Sequence, residues 1–405
     1  MFEQLLNGCK IEDGKPIPSN AIKKAFKNDE KNCPVLAMLN IMLCIPHGSG
    51  LLKTFGFEKL EKVLFGPVVQ DGKFLTCFFP IFCLMPMSEI WADLYGLKSL
   101  GNDAAEVLSK HEGELNLTNL TSLSAPTAEA LSKHKGDLGF FHLKSLSAAA
   151  AEALSKHKGD LGLHSLTSLS DSSGHTALAR KLASNKGPVQ LWHLTSLSDA
   201  AAEALSANKG NLDLSALTSL SDSPGHIALA EKFASQRDLD FWHLESLSDG
   251  AAEALSKHKG KLDLRHLTSL NDSPGHIALA VKLVSQGDLH LTVKILSDAA
   301  AEVLSKHKWQ LNLWSLEILN DSLGHIALAG KLASQKGGLN LYNLKSLSNG
   351  VAEALSKHKG KLDLRELKSL SDSAAEALSK HKGKLELRGS LKQKVEKYKK
   401  QGRKI

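Results

Sequence analysis

The chain repeats one pattern of apolar and polar positions about every 23 residues, and the segment Val189–Asn211 shows it in full. The first, third, sixth and ninth positions of this segment are apolar: Val189, Leu191, Leu194 and Leu197. Alternation at its start is typical of a short β-strand, in which successive side chains point to opposite faces. The pattern predicts a strand whose first and third side chains enter a core and whose second and fourth side chains face outward.

A short helix is predicted after this strand. Ser198 and Asp199 each offer an oxygen to the free N–H groups of a first helical turn, which is typical of an N-cap. An apolar stripe with the spacing of one helix face follows: Ala201, Ala204 and Leu205. Gly210 is expected to end the helix in the left-handed conformation. One repeat therefore consists of a strand, a turn, a short helix and a second turn.

The pattern returns along most of the chain, in two lengths. A degenerate copy covers Ala92–Glu114, and clear copies begin at Leu115, Leu138, Leu161, Val189, Leu212, Leu239, Leu262, Leu289, Leu311, Leu339 and Leu362. Between Leu161 and Gly338, short repeats such as Asp199–Ser206 alternate with long ones such as Asp222–Lys232, whose helix should be about one turn longer. The repeat Leu289–Gln310 is one residue short between strand and helix, so we expect a local irregularity there.

A single repeat cannot bury its own apolar face, whereas stacked repeats form a parallel ladder with a continuous leucine core. The spacing Leu-x-Leu-x-x-Leu-x-x-Leu resembles the leucine-rich-repeat family from about Ala92 to Leu387. Its sixth position is leucine, as at Leu194, where the familiar motif has asparagine, and this is similar to bacterial repeat variants of about 23 residues. The resemblance implies a curved, right-handed α/β solenoid with short parallel strands on its concave side and short helices on its convex side.

Three regions are predicted: a non-repeating cap or small mixed domain at 1–91, the solenoid at 92–388 and a basic tail at 389–405. A separate effector domain at 1–91 is the alternative to a cap. The tail contains seven basic residues and one acid, so it accounts for +6 of the net charge of +7. The repeats are then nearly neutral and give no strong electrostatic case for nucleic acid. The tail itself is expected to be a solvated terminus or a contact to an acidic protein, membrane surface or nucleic acid.

The cysteines bear on the compartment. All five precede the repeats, none is in a CxxC pair, and the N-terminus has no secretory pattern. The sequence therefore predicts a reducing, cytoplasmic environment. The most apolar run, Phe74–Met87, is shorter than the ~20 residues of a membrane helix and contains two prolines, so membrane contact is not expected.

Histidine is the residue most suggestive of chemistry. Among the 18 histidines, one set recurs in the turn sequence S-K-H-K, as at His307, and another in G-H, as at His276. The lysines that flank the first set would repel a metal ion, and a cation is favoured at a helix C-terminus, so a structural role is preferred to a metal ladder. The chain has no HExxH, P-loop or Gly-x-Ser-x-Gly motif. We predict no catalytic residue, no metal and no cofactor.

The fourth strand position should line the concave face, where aromatic residues and arginines recur. Such residues dominate binding energies in protein interfaces, and the leucine-rich-repeat resemblance implies a non-catalytic scaffold that binds a protein partner there. The candidate binding residues are Tyr95, Phe141, Trp192, Trp242, Arg265, Trp314, Tyr342, Arg365 and Arg388. The alternative is that they pack on one another and on His193 and His243. Carbohydrate binding by the aromatic row and effector activity in residues 1–91 are the competing functions.

Overall fold

The computed structural model describes residues 98–110, 113–237 and 239–401. The predicted cap or effector domain at 1–91 and the candidate binding residue Tyr95 lie outside these residues. The chain divides into two compact parts, residues 1–163 and residues 164–405. We call them the N-terminal part and the C-terminal part, and each is described separately.

The described residues of the N-terminal part alternate three helices with three short strands. They are α1 Asn102–Leu108, β1 Leu115–Asn116, α2 Ala125–Ser132, β2 Leu138–Gly139, α3 Ala148–Ser155 and β3 Leu161–Gly162. The three strands form one parallel sheet in the order β1-β2-β3. Leu138 lies opposite both Leu115 and Leu161, so equivalent leucines of successive repeats are in register. The predicted repeat of strand, turn and helix is confirmed.

The C-terminal part continues this alternation, and each repeat up to the one that begins at Leu339 adds a second short strand before its helix. The first strands are β5 Val189–Gln190, β7 Leu212–Asp213, β9 Leu239–Asp240, β11 Leu262–Asp263, β13 Leu289–His290, β15 Leu311–Asn312, β17 Leu339–Asn340, β19 Leu362–Asp363 and β20 Leu385–Glu386. The second strands are β4 Ser168–Leu169, β6 Ser196–Leu197, β8 Ser219–Leu220, β10 Ser246–Leu247, β12 Ser269–Leu270, β14 Ile295–Leu296, β16 Ile318–Leu319 and β18 Ser346–Leu347.

The helices of the C-terminal part alternate in length up to α10. They are α4 Ser173–Ala183, α5 Asp199–Ser206, α6 Pro224–Ser235, α7 Asp249–Ser256, α8 Pro274–Val284, α9 Asp298–Ser305, α10 Leu323–Ser334, α11 Asn349–Ser356, α12 Asp372–Ser379 and α13 Gly389–Gln401. Helix α5 has 8 residues and α6 has 12, which confirms the predicted extra turn. Pro224 and Pro274 lie in the first turn, where a missing N–H leaves no carbonyl unpaired.

The core is a set of leucine columns, as the periodicity predicts. Val189, Leu191 and Leu194 are at most 2% exposed, and their counterparts in the other repeats are buried in the same way. The helices close this core with their alanine and leucine stripe, of which Ala201 and Leu205 are fully buried. Each fully buried leucine contributes roughly 1.5–3 kcal/mol relative to an exposed one. The leucine at the sixth position therefore occupies the core column directly.

Strand pairing alternates with repeat length. First strands pair across the short repeats, as β5 with β7, where Val189 lies opposite Leu212. Second strands pair across the long repeats, as β8 with β10, where Ser219 lies opposite Ser246. The two kinds of ladder therefore alternate along the C-terminal part in step with the length of the helices.

A glutamine side chain replaces the missing first-strand pairing at the three long repeats that begin at Leu212, Leu262 and Leu311. The Leu262 amide donates to Oε1 of Gln286 at 2.6 Å, and Nε2 of Gln286 donates to the Leu262 carbonyl at 3.2 Å. Gln236 and Gln335 make the same two bonds. A primary amide offers one donor and one acceptor at the spacing of a peptide group, so it satisfies the backbone as a neighbouring strand would.

Two oxygens at the start of the short helices α5, α7 and α9 serve two different helices. Oγ of Ser198 accepts from the Ala201 amide of its own helix at 3.3 Å. Oδ1 of Asp199 accepts from the Gly225 amide at the start of the next long helix at 2.6 Å. Asp249 and Asp298 repeat this contact with Gly275 and Gly324. Each aspartate therefore joins consecutive repeats at their helix N-termini, where a negative charge is favoured.

Because of these aspartates, we expect the stability of the folded chain to fall in acid. A hydrogen bond from the Ser273 hydroxyl, and others from backbone amides, hold the pKa of Asp249 below its ordinary value of 3.8. A carboxyl whose pKa is lower in the folded state stabilises the fold above the ordinary pKa, and this contribution disappears as pH falls through the folded value. We expect urea midpoints to be constant near neutrality and to fall below about pH 4. The Asp249→Asn variant should show a smaller acid-induced loss, because an amide oxygen accepts the Gly275 hydrogen bond at every pH.

Three local expectations have different outcomes. The irregularity at the repeat Leu289–Gln310 is confirmed, because the turn that follows the first strand in its neighbours is absent there and a bend lies at Lys294 instead. The left-handed helix end at Gly210 is wrong: in the described part of the chain, positive φ occurs only at Gly113, Gly337 and Gly389. Gly210 lies instead against the preceding turn, with the Gly187 carbonyl 3.5 Å from the position of an added Cβ.

The expected solvated terminus is right only in part, because Gly389–Gln401 forms helix α13, of which most side chains are exposed but one is buried. Val395 of this helix is 4% exposed. Nζ of Lys394 donates to the Leu370 carbonyl at 2.8 Å and lies 2.8 Å from Oδ1 of Asp372. Although α13 contains few large apolar residues, one valine and one lysine attach it to the last repeat.

Candidate functional site

In the repeats of the C-terminal part, the second residue of a first strand and the residue two positions later, in the following turn, lie on the side away from the leucine core. In the repeat that begins at Leu262, Leu262 and Leu264 are each 1% exposed, whereas Asp263 and Arg265 face outward. We call the surface formed by these outward positions in the C-terminal part the strand face. The strand pairing sets neighbouring repeats roughly 4.8 Å apart where it occurs, so the strand face presents one side chain per repeat in a row.

The polar residue at the second position shapes the turn that carries the fourth. Oδ1 of Asp263 accepts from the Arg265 amide at 3.1 Å, and Oδ1 of Asn312 accepts from the Trp314 amide at 3.2 Å. Asn340 makes the same bond to Tyr342 at 3.0 Å. Asp and Asn side chains favour this local bond two residues ahead. The polar row therefore holds the residues of the fourth position in place, a role that sequence reasoning missed although the Asp/Asn alternation indicates it.

The predicted binding residues of the C-terminal part all lie on the strand face. Trp192, Trp242 and Trp314 are 41%, 54% and 42% exposed. Arg265, Arg365 and Arg388 are exposed, and Tyr342 is half-buried. Phe141 belongs to the N-terminal part, where it is 37% exposed and its ring lies over Gly139.

The row separates into three clusters. In the first, His164 packs against Trp192 with ring centroids 4.9 Å apart. In the second, the Arg265 guanidinium lies 5.3 Å from the centroid of the Trp242 ring. In the third, Arg365 and Arg388 lie 5.0 and 5.8 Å from the centroid of the Tyr342 ring. Each cation stacked on an exposed ring contributes roughly 0.5–1 kcal/mol.

Carboxylates hold these arginines. The Arg265 guanidinium makes a bidentate contact with Asp263, and that of Arg365 makes one with Asp363, the shortest bond of the latter being 2.8 Å. Although burial acts in the opposite direction, the hydrogen bonds from Arg265 keep the pKa of Asp263 below its ordinary value. Hydrogen bonding to Asp363 correspondingly raises the pKa of Arg365. The rings of Trp242 and Tyr342 are therefore covered on one side by arginines whose orientation is held by carboxylates.

Trp314 differs from the other aromatic residues of the row. Among the described residues, no second ring or guanidinium lies against its indole, which is 42% exposed. Its carbonyl accepts from Nδ2 of Asn343 at 3.2 Å, so its backbone is fixed. The histidine contacts differ from the alternative in which the row packs on His193 and His243. His164 is the partner of Trp192, and His243 stacks on His266 with their ring centroids 6.0 Å apart.

The recurring histidines are hydrogen-bonded to backbone, which confirms the structural interpretation. In the G-H set, Nδ1 of His276 accepts from the Asn271 amide at 3.2 Å, so its Nε2 donates to the Leu247 carbonyl at 3.0 Å. In the S-K-H-K set, Nδ1 of His358 lies 3.0 Å from the Ala333 carbonyl at the end of the preceding helix. A group of three metal-ligating side chains does not occur within the described ranges.

An exposed apolar patch, which we call the apolar step, lies beside the strand face and was missed by sequence reasoning. Ile295 and Ile318 are 58% and 43% exposed and occupy a position that is serine in the other repeats. They are neighbours, because the Glu317 amide donates to the Lys294 carbonyl at 2.9 Å. Leu323, at the start of α10, is 83% exposed. The change from serine to isoleucine in two consecutive repeats is the signal that reveals this step.

Within the described ranges, none of the helices combines the length and the apolar composition needed to cross a membrane. A comparison of the sequence with protein-family models and with curated proteins finds no match. The repeating α/β architecture and the residues of its strand face are therefore the basis for assigning a function.

Proposed function

We propose that the chain is a non-catalytic scaffold of the leucine-rich-repeat type and that its strand face, as the concave side of the solenoid, binds a protein partner. The observation that carries this proposal is the exposure of Trp192, Trp242 and Trp314 at the equivalent position of three repeats, in the turn that follows the first strand. Exposed tryptophans in one row are costly in water, and tryptophan and arginine are enriched among the residues that dominate binding energies.

The side chains and backbone of this row are partly held in place before binding, and this supports the proposal. The Asx bonds at Asp263 and Asn312 fix the backbone of the fourth position, and the bidentate contacts fix the guanidinium groups. A side chain that is ordered before binding loses less conformational entropy on binding, roughly 0.5–1.5 kcal/mol less for each immobilised side chain. A row of fixed rings and guanidinium groups fits a partner with apolar side chains and hydrogen-bond acceptors at matching positions.

The test is affinity capture from a native lysate with the full chain and with the variant Trp192→Ala/Trp242→Ala/Trp314→Ala. Each ring is expected to contribute about 2 kcal/mol as a binding hot spot, so the captured partner should be lost from the variant. Titration of the purified partner should show a dissociation constant at least a hundredfold weaker. The variant should retain its fold, because the three rings lie outside the leucine core.

The matched control is Ile295→Ser/Ile318→Ser/Leu323→Ser, which removes three exposed apolar groups from the neighbouring step. It should bind the partner like the unaltered chain. Loss of the partner from this control, with retention by the tryptophan variant, would place the interface on the apolar step and contradict the proposal. A glycan array with hits that the tryptophan variant abolishes would favour carbohydrate binding by the same row.

A further inference from the structure

Charge is separated between the two edges of the repeats, although the repeat sequence as a whole is nearly neutral. The helix N-termini carry aspartates such as Asp249 and Asp298, and these are engaged as caps of the next helix. The turns after the helix C-termini carry lysines. We call the exposed lysines of these turns in the C-terminal part the lysine edge: Lys209, Lys259, Lys308, Lys336, Lys359 and Lys382.

The lysines of this edge are not neutralised by neighbouring acids. On the short helices, the lysine before the buried histidine pairs with a glutamate one turn earlier, as Lys357 does with Glu353 at 3.5 Å. The lysine after the histidine, such as Lys359, has no carboxylate within 4 Å in the described part of the chain. Among the described residues of these turns, one is an acid, Asp288, and its Oδ1 accepts from the Gln310 amide at 3.1 Å.

Four consecutive repeats continue this charge without interruption. Lys308, Lys336, Lys359 and Lys382 each lie in the turn that closes one repeat. The turns are held against one another, because the Leu339 amide donates to the Lys361 carbonyl at 2.7 Å and the Leu362 amide donates to the Lys384 carbonyl at 2.8 Å. Between α11 and α12 lies a groove of about 620 Å³, in which Lys359 and Lys382 are joined by Lys357, Lys380, Glu353 and Glu376, so its lining is basic on balance.

An exposed indole lies at one end of this run. Trp309 is 48% exposed and follows Lys308 directly. It occupies the place of the glycine in other short repeats, such as Gly360, and its carbonyl is fixed by a 3.0 Å hydrogen bond from Nζ of Lys331. The His307 ring lies 5.8 Å from it on one side. A half-exposed ring at the end of a row of cations is an arrangement on which an unpaired nucleobase can stack while its phosphates follow the charge.

We propose that the lysine edge binds single-stranded nucleic acid, with a base stacked on Trp309 and the phosphates along Lys308, Lys336, Lys359 and Lys382. Two features favour this ligand over other polyanions: the cations recur once in each of four consecutive repeats, and an exposed aromatic ring lies next to the first of them. The proposal is separate from the protein-binding function, because it uses the turns after the helices and not the strand face.

The experiment is fluorescence anisotropy of a labelled 20-nucleotide oligouridylate with the full chain at 50 and 200 mM salt. We expect binding that weakens with salt. The variant Lys308→Ala/Lys336→Ala/Lys359→Ala/Lys382→Ala should bind at least tenfold more weakly at 50 mM salt. Its slope of log affinity against log salt should be smaller by about 0.7 for each phosphate that the variant no longer neutralises. Trp309→Ala should bind about tenfold more weakly with an unchanged salt slope, because stacking is removed and charge is not.

Two controls keep the proposal falsifiable. The variant Lys392→Ala/Lys397→Ala/Lys399→Ala/Lys400→Ala removes the same charge from α13 and should bind the oligonucleotide nearly as well as the unaltered chain. Inorganic polyphosphate should bind without any dependence on Trp309. Absence of oligonucleotide binding at 50 mM salt, loss of binding only in the α13 variant, or binding that is unaffected by Trp309→Ala would overturn the proposal.

Discussion

Replacement of His276 by leucine is expected to lower the free energy of unfolding by about 3 kcal/mol. The imidazole is 1% exposed and joins two repeats, because it accepts from the Asn271 amide and donates to the Leu247 carbonyl. Leucine fills much of the same volume but leaves both backbone groups buried without a partner, and each such group costs roughly 1–3 kcal/mol.

Urea unfolding followed by circular dichroism measures this loss, and hydrogen exchange at the Asn271 amide measures it locally. The matched control is His243→Leu, because His243 is exposed on the strand side of the preceding repeat; exposed substitutions usually change stability by less than about 0.5 kcal/mol. Equal stability of the His276→Leu and His243→Leu variants would show that the buried histidines do not tie the repeats together.

Substitution of Gly360 by alanine should destabilise the chain by about 2 kcal/mol, whereas Gly210→Ala should stabilise it by about 0.5 kcal/mol. A Cβ added at Gly360 would lie 1.9 Å from the Gly337 carbonyl oxygen, so one turn must move off the next. A Cβ added at Gly210 would meet its nearest atoms at 3.5 Å, which is ordinary contact. Neither glycine has a positive φ, so alanine at Gly210 chiefly reduces the freedom of the unfolded chain.

The two glycines occupy equivalent positions in their repeats, which makes each the control of the other. Urea midpoints of the two single variants should therefore move in opposite directions. If both variants were destabilised equally, backbone conformation and not the spacing of adjacent turns would explain why glycine recurs at this place in the repeats.

The leucine columns and the alternating helix lengths were predictable from the sequence, because burial leaves a periodic trace. Leu194 and its counterparts recur at fixed positions, and the extra residues of the long helices are visible in Asp222–Lys232. The outward position of Trp192, Trp242 and Trp314 followed from strand alternation alone. These features depend on local spacing, which one repeat already contains.

Contacts between repeats were not predictable in the same way. Glutamine stands at the position of Gln286 in two other long repeats, as Gln236 and Gln335. Its role could be recognised only from the structure, which shows that the first-strand ladder is interrupted there. Ser198 and Asp199 were equal candidates for one cap, and the structure assigns them to two different helices. The ends of the helices depend on the preceding turn, which the sequence of a single repeat does not include.

The charge separation shows a further limit of sequence reasoning. When the formal charges of a repeat are added, Asp298 cancels Lys308, although the two residues lie at opposite ends of the helix of that repeat. The clusters of the strand face were also hidden, because Arg265 contacts Trp242 of the preceding repeat. Position within a repeat could be predicted, whereas the partner across the repeat boundary required the fold.

Hydrogen exchange of the full chain, alone and with the captured partner, tests the central claim most directly. If the strand face is the interface, the partner should slow exchange at the backbone of the fourth strand positions, including Trp192, Trp242, Trp314 and Tyr342. Helices α5 to α12 should exchange at unchanged rates, because they cover the opposite side of the leucine core. Protection confined to those helices, to α13 or to the step of Ile295 and Ile318 would contradict the account.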